Sequence, residues 1–150
     1  MSREYLFVYG TLLSGTGRRS LDRVLRRHLR PLYRARVRGR LYQVGRYPAA
    51  VPTDNGREHV QGHVVELRQA QRWLKWLDRY EDHRPDDPER GEYRREIVRS
   101  RRLADGRPLD CWIYVYTARP KFAHRIRSGS YRPGRFSRRR ASRRPRAPQC

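Results

Sequence analysis

The chain has 150 residues, a hydrophobic fraction of 36% and a formal net charge of +22. That length suits one domain with one real core. Its two cysteines, Cys111 and Cys150, are too few for a disulfide framework, and no stretch approaches the ~18 apolar residues of a membrane span.

Of the 37 basic residues, only Lys75 and Lys121 are lysine. Such a charge balance suits a polyanion partner. The arginines, however, are spread along the whole chain, which a uniform compositional bias also produces. Arg3 and Glu4 lead straight into the first apolar run, without a charged-then-apolar leader, so a cytoplasmic protein is expected.

In chain order, Tyr5-Leu6-Phe7-Val8-Tyr9 is an apolar, aromatic run long enough for one buried strand. It stops at Gly10, with Gly15 and Gly17 close behind. A strand running into a Gly-bearing loop offers backbone N–H groups that can hold an anion; the plainer alternative is a strand and a turn. Neither a dinucleotide fingerprint nor a P-loop is present. Apolar residues at 21, 24, 25 and 29 have helix spacing, with Ser20 as N-cap, Asp22 in the first turn and Pro31 as terminator. From Ala35 to Val44 apolar and basic residues alternate, which predicts one half-buried strand with Gly39 as a bulge.

Ala49-Ala50-Val51 is short and extended, and Asn55-Gly56 carries a hairpin turn signal. His59 to Leu67 reads as a strand containing Gly62. Gln69 to Tyr80 reads as a helix with Trp73, Leu74, Leu77 and Tyr80 toward the core. Asp82 to Gly91 reads as a polar loop, Glu92 to Ser100 as a strand, Asp105-Gly106 as a turn, and Asp110 to Tyr116 as a further strand. This element order gives an α+β fold, with helices and a mixed sheet around one core. The last segment, 132–150, carries eight Arg, three Pro and no acidic residue; it is expected to be a disordered tail, leaving 1–131 as the domain.

Candidate chemistry centres on Leu77-Asp78-Arg79-Tyr80-Glu81. Asp78 and Glu81 share a helix face if the helix continues. A carboxylate beside packed aromatics loses solvation and its pKa rises, which makes a base useful near neutral pH; a solvated helix-end acid balancing nearby Arg is the alternative. Cys111 lies in an apolar strand and reads as packing. His59 and His63, four residues apart on a strand, stand roughly 13 Å apart, too far for one metal ion. No metal and no cofactor are expected.

Four stretches in order resemble the γ-glutamylcyclotransferase-like (AIG2-like) family. They are Tyr9-Gly10-Thr11-Leu12, then Gly39-Arg40-Leu41-Tyr42 with Gly45-Arg46-Tyr47-Pro48, then Leu77-Asp78-Arg79-Tyr80-Glu81, then Gly91-Glu92-Tyr93. The run Trp112-Ile113-Tyr114-Val115-Tyr116 is similar to a fifth. The resemblance implies a single-domain, mixed barrel-like β-sheet with flanking helices. It also implies release of 5-oxoproline and a free amine from a γ-glutamyl amide, with Glu81 as the acid/base. Tyr9, Gly10, Thr11 and Leu12 would bind the glutamyl moiety, and Tyr93 and Tyr116 would be substrate-binding residues with them. Departures are Asp82 after the Glu, where Gly is frequent, and Gly129-Ser130-Tyr131, where many bacterial members carry Gly-Asp-Trp. A non-catalytic binding protein on the same fold is one alternative. A basic nucleic-acid-binding protein is another; there the contact would be non-specific, through the Arg-rich tail.

Overall fold

The structure, a computed structural model, describes residues 3–9, 29–44, 47–80, 93–117 and 124–131. The described elements are β1 (Glu4–Val8), β2 (Leu29–Arg38), β3 (Arg40–Val44), β4 (Tyr47–Val51), β5 (His59–Leu67), α1 (Ala70–Tyr80), β6 (Tyr93–Arg102), β7 (Pro108–Tyr116) and β8 (His124–Ile126). Five strands close into a barrel in the order β1-β5-β2-β6-β7, and three form a second sheet in the order β4-β3-β8. All ladders are antiparallel except the closing pair, where β1 runs parallel to β7 at Leu6 and Trp112. The sheet is therefore mixed and barrel-like, as the resemblance implied.

Side chains alternate across the barrel wall, as strand geometry requires. Phe7, Val37, Val60, Val64, Cys111, Ile113 and Val115 form the inner core. Their neighbours Leu6, Val8, Val65, Leu67 and Tyr114 face outward and are buried under α1. Both faces of β1 and of the second half of β7 are thus covered, which is why those stretches read as apolar runs. On α1, Trp73, Leu74, Trp76 and Leu77 make the buried face, and Trp73 meets Trp76 edge-on with centroids 5.5 Å apart. Burying side chains of this size stabilises by roughly 1.5–3 kcal/mol each. The helix starts at Gln69, whose carbonyl accepts from the Arg72 and Trp73 amides and whose φ is +54°.

Three expectations are corrected. Leu29, Arg30 and Pro31 are not a helix end: they lie in β2 and pair with Leu67, Glu66 and Val65 of β5. Leu29 has helix spacing from Leu25, but its burial comes from the outer core under α1. Pro31 sits beside a register shift in that ladder, where a missing N–H is tolerated; residues 10–28, with the remainder of the expected helix, lie outside the described residues. Gly39 is not a bulge inside one strand. It separates β2, in the barrel, from β3, in the second sheet, and a Cβ there would meet the Val51 carbonyl oxygen and Val60 Cγ2, each at 3.2 Å. Asn55-Gly56 does make a turn, held by Asn55 Oδ1 accepting from the Arg57 amide at 3.0 Å and by the Asn55 carbonyl accepting from the Glu58 amide at 3.2 Å. That turn joins β4 to β5, which belong to different sheets, so it is not a hairpin.

Gly62 is required by a close approach. A Cβ on it would stand 2.2 Å from the Val8 carbonyl oxygen and 2.9 Å from Phe7 Cζ, so β1 could not pair there. The two sheets are also joined at Glu58. Its carboxylate accepts from Arg40 Nε at 2.6 Å and from an Arg125 guanidinium nitrogen at 2.8 Å. The Arg40 hydrogen bond, more than the neighbouring charges, holds this carboxyl below its ordinary pKa. No described helix is long and apolar enough to cross a membrane. The expected tail, 132–150, lies outside the described residues.

Candidate active site

Because β1 and β7 run parallel and β6 runs against β7, three chain ends meet at one end of the barrel. Tyr9 follows the end of β1, Tyr93 begins β6 and Tyr116 ends β7. The ladder sets Tyr93 opposite Tyr116, and their rings contact edge-on with centroids 5.5 Å apart. The Tyr9 hydroxyl donates to the Tyr114 carbonyl oxygen at 2.5 Å and accepts from the Ala50 amide of β4 at 3.2 Å. Tyr93 is buried, and its hydroxyl donates to the Pro48 carbonyl oxygen at 3.0 Å. Tyr93 and Tyr116 thus touch in the outer cluster, Tyr9 packs against the inner core at the same barrel end, and the Tyr9 and Tyr93 phenols fasten β4 to the barrel.

The last turn of α1 reaches this end through Asp78. Arg95 of β6 grips the Asp78 carboxylate with two nitrogens, at 2.7 and 3.1 Å, and the Tyr114 hydroxyl donates to Asp78 Oδ1 at 2.7 Å. The pair is largely out of water, with side-chain exposures of 11% for Asp78 and 19% for Arg95. Behind it, the Arg95 guanidinium lies 4.3 Å from the centre of the Trp112 ring, and Trp112 Nε1 donates to Glu4 at 2.9 Å. One connected path therefore runs from Asp78, at the end of the helix, through Tyr114 to Tyr9, beside the first loop. Arg95 and Tyr114 were not singled out in the sequence. Tyr114 is one apolar letter in a strand, and Arg95 is one arginine among many. Only the register that sets Arg95 opposite Tyr114 identifies them.

With both Arg95 and Tyr114 on its carboxylate, Asp78 is a positioning group rather than a base. Glu81, Gly10, Thr11 and Leu12 lie outside the described residues; the described chain stops at Tyr9 and at Tyr80 and resumes at Tyr93. Cys111 faces the inner core, and burial pushes its thiol up to about 11 despite a hydrogen bond from Ser100. It is packing, not a nucleophile. His59 and His63 lie on β5, and among the described residues no group of three His, Cys, Asp or Glu could hold a metal ion.

Comparison with known proteins decides the family. The model of the family described as "Gamma-glutamyl cyclotransferase, AIG2-like" matches residues 6–133. The chain belongs to that family. The crystal structure of a mouse AIG2-like protein, labelled GGACT, superimposes with a TM-score of 0.65 at 22% identity, over 88% of this chain and 90% of that one. YkqA from Bacillus subtilis gives 0.62 at 21% identity over 87% of this chain, which spans only 40% of YkqA. An uncharacterized protein from Pyrococcus horikoshii gives 0.53 at 16% identity, over 85% of this chain and 88% of that one. At these identities the three structures share the AIG2-like fold with this chain. No curated protein matches the sequence.

Proposed function

We propose that this family member is a γ-glutamyl amide cyclotransferase. The α-amine of the substrate attacks its own γ-carbonyl, the amide C–N bond breaks, and 5-oxoproline and a free amine leave. The observation that carries this reading is the meeting of Tyr9, Tyr93, Tyr116 and the Asp78 turn of α1 at one barrel end, in a chain of this family. Glu81, three residues beyond Asp78 in the sequence, takes the amine proton and returns it to the leaving nitrogen. Gly10, Thr11 and Leu12 hold the glutamyl carboxylate through backbone N–H groups. The nucleophile is part of the substrate, so positioning is the main catalytic device, and the Arg95–Asp78–Tyr114 link supports a rigid helix end for it.

The test is incubation with a panel of γ-glutamyl amides and detection of 5-oxoproline, repeated with Glu81→Gln. The variant should keep the melting temperature and lose roughly 10²–10⁴-fold in turnover. No 5-oxoproline from any amide would refute the reaction, and full activity in Glu81→Gln would refute the role of Glu81.

A further inference from the structure

Where β2 meets β6, the barrel wall has a gap. The β2–β6 ladder consists of only two pairs, Ala35 with Arg102 and Arg36 with Arg101. Continuing that register would set Arg38 against Arg99, but the pairing stops and the strands diverge. A wedge-shaped cleft of about 500 Å³ opens there, lined by Arg36, Arg38, Arg99, Arg101, His59 and the valines Val37 and Val98.

The charge in this cleft is only partly balanced. Elsewhere Arg40 and Arg125 share the Glu58 carboxylate and Arg94 pairs with Glu96. Of the lining arginines, Arg99 is paired, with Asp110 of β7, through two bonds of 3.0 and 3.4 Å. Among the described residues no carboxylate pairs with Arg36, Arg38 or Arg101. Arg36 and Arg101 stand directly opposite each other across the ladder, an arrangement that repels. The field reaches the side of the cleft, where Arg36 and Arg38 add to burial in lowering the His59 imidazole.

We infer that the β2–β6 wedge binds the sugar–phosphate backbone of a nucleic acid. The row of exposed arginines continues beyond the wedge to Arg34, so the charge is linear rather than focused on one small anion. Alternate residues on a strand stand roughly 6.8 Å apart, commensurate with one phosphate per roughly 3.4 Å along a nucleic-acid strand. Guanidinium forks match phosphate oxygens in pairs. The lining has no Phe, Tyr or Trp on which a base could stack, so recognition rests on the backbone rather than on sequence. A concave wedge admits a ridge of phosphates, whereas a planar lipid surface cannot enter it.

The experiment titrates the full chain against fluorescein-labelled duplex and single-stranded DNA of arbitrary sequence, across roughly 50–200 mM salt. One triple variant, Arg36→Gln with Arg38→Gln and Arg101→Gln, is compared with a control triple on exposed positions beside and on α1, Arg68→Gln with Arg72→Gln and Arg79→Gln. Both triples remove the same charge and leave the tail intact. The wedge triple should bind at least tenfold more weakly than the control triple at the low-salt end, and its salt slope should be flatter by about 3, one per phosphate contact. Its melting temperature should not fall, because a repulsive pair has been removed. A wedge triple that loses no more than the control triple would overturn the inference, as would absence of DNA binding by the parent chain. Displacement of the DNA by poly-glutamate as effectively, charge for charge, as by unlabelled DNA would also overturn it.

Discussion

Asp78→Ala is the sharpest probe of the helix end. The substitution withdraws a carboxylate that accepts two bonds from Arg95 and one from the Tyr114 hydroxyl. Removing one partner of a buried ion pair typically costs about 3–5 kcal/mol, because the remaining charge stays out of water. Arg95 keeps 19% of its side-chain surface and its seat over Trp112, so the lower end applies, about 3 kcal/mol. For a chain of this size that is a fall of roughly 6–12 °C in melting temperature. Urea unfolding of Asp78→Leu, of Arg95→Met and of the double variant Asp78→Leu with Arg95→Met completes a cycle; the double variant should recover at least half of the loss seen in Asp78→Leu, since neither charge is then buried. The exposed Arg99–Asp110 pair supplies the contrast, with side-chain exposures of 63% and 56%, and Asp110→Ala should leave the urea midpoint within measurement error. A loss below about 1 kcal/mol for Asp78→Ala would mean that the pair behaves as a surface salt bridge and does not hold the helix end.

Gly62→Ala should prevent β1 from seating, because the new methyl would collide with backbone at Val8; soluble yield and melting temperature should both fall sharply, whereas Gly106→Ala, whose Cβ meets nothing within 4 Å, should cost only what its positive φ of 74° imposes. Cys111 should resist a thiol reagent near pH 8 in the native protein and react once urea unfolds it, so Cys150→Ser protein should show no fast thiol before unfolding. Burial, with Arg34 second, lowers the His63 imidazole, so the unfolded state binds the proton more readily. Its contribution is complete above the ordinary histidine value of about 6.5 and is lost as pH falls through the lowered folded value; His63→Gln should flatten the urea-midpoint profile below about pH 6.5.

The elements that were legible in the sequence are those whose two faces have distinct neighbours. Trp73, Leu74 and Leu77 repeat at helix spacing because α1 covers the barrel with one face only. β1 and the second half of β7 were visible because both of their faces are buried. Leu29 to Pro31 misled because the local pattern of a leucine after a helical spacing carries no trace of its partner, and that partner, β5, is more than 30 residues away. Gly39 misled for a related reason: alternation continues smoothly through it from Ala35 to Val44, and only tertiary pairing divides that run between two sheets. At the candidate site, Tyr9, Tyr93 and Tyr116 were named through the family motifs. The Asp78–Arg95–Tyr114 network was not, because its members are far apart in sequence and chemically ordinary among so many arginines and tyrosines.

The fastening of β4 by two phenols has a further consequence. β4 is an outer strand of the small sheet, and the Tyr9 and Tyr93 hydroxyls occupy the Ala50 amide and the Pro48 carbonyl that such an edge would otherwise present. Anything that enters the barrel end and recruits either hydroxyl competes with the joint between the sheets. Occupancy and sheet mobility are then linked, and the link has a direct readout. A ligand that takes the Tyr9 hydroxyl should quicken hydrogen exchange at the Ala50 amide, and one that packs beside the ring without touching the hydroxyl should slow it.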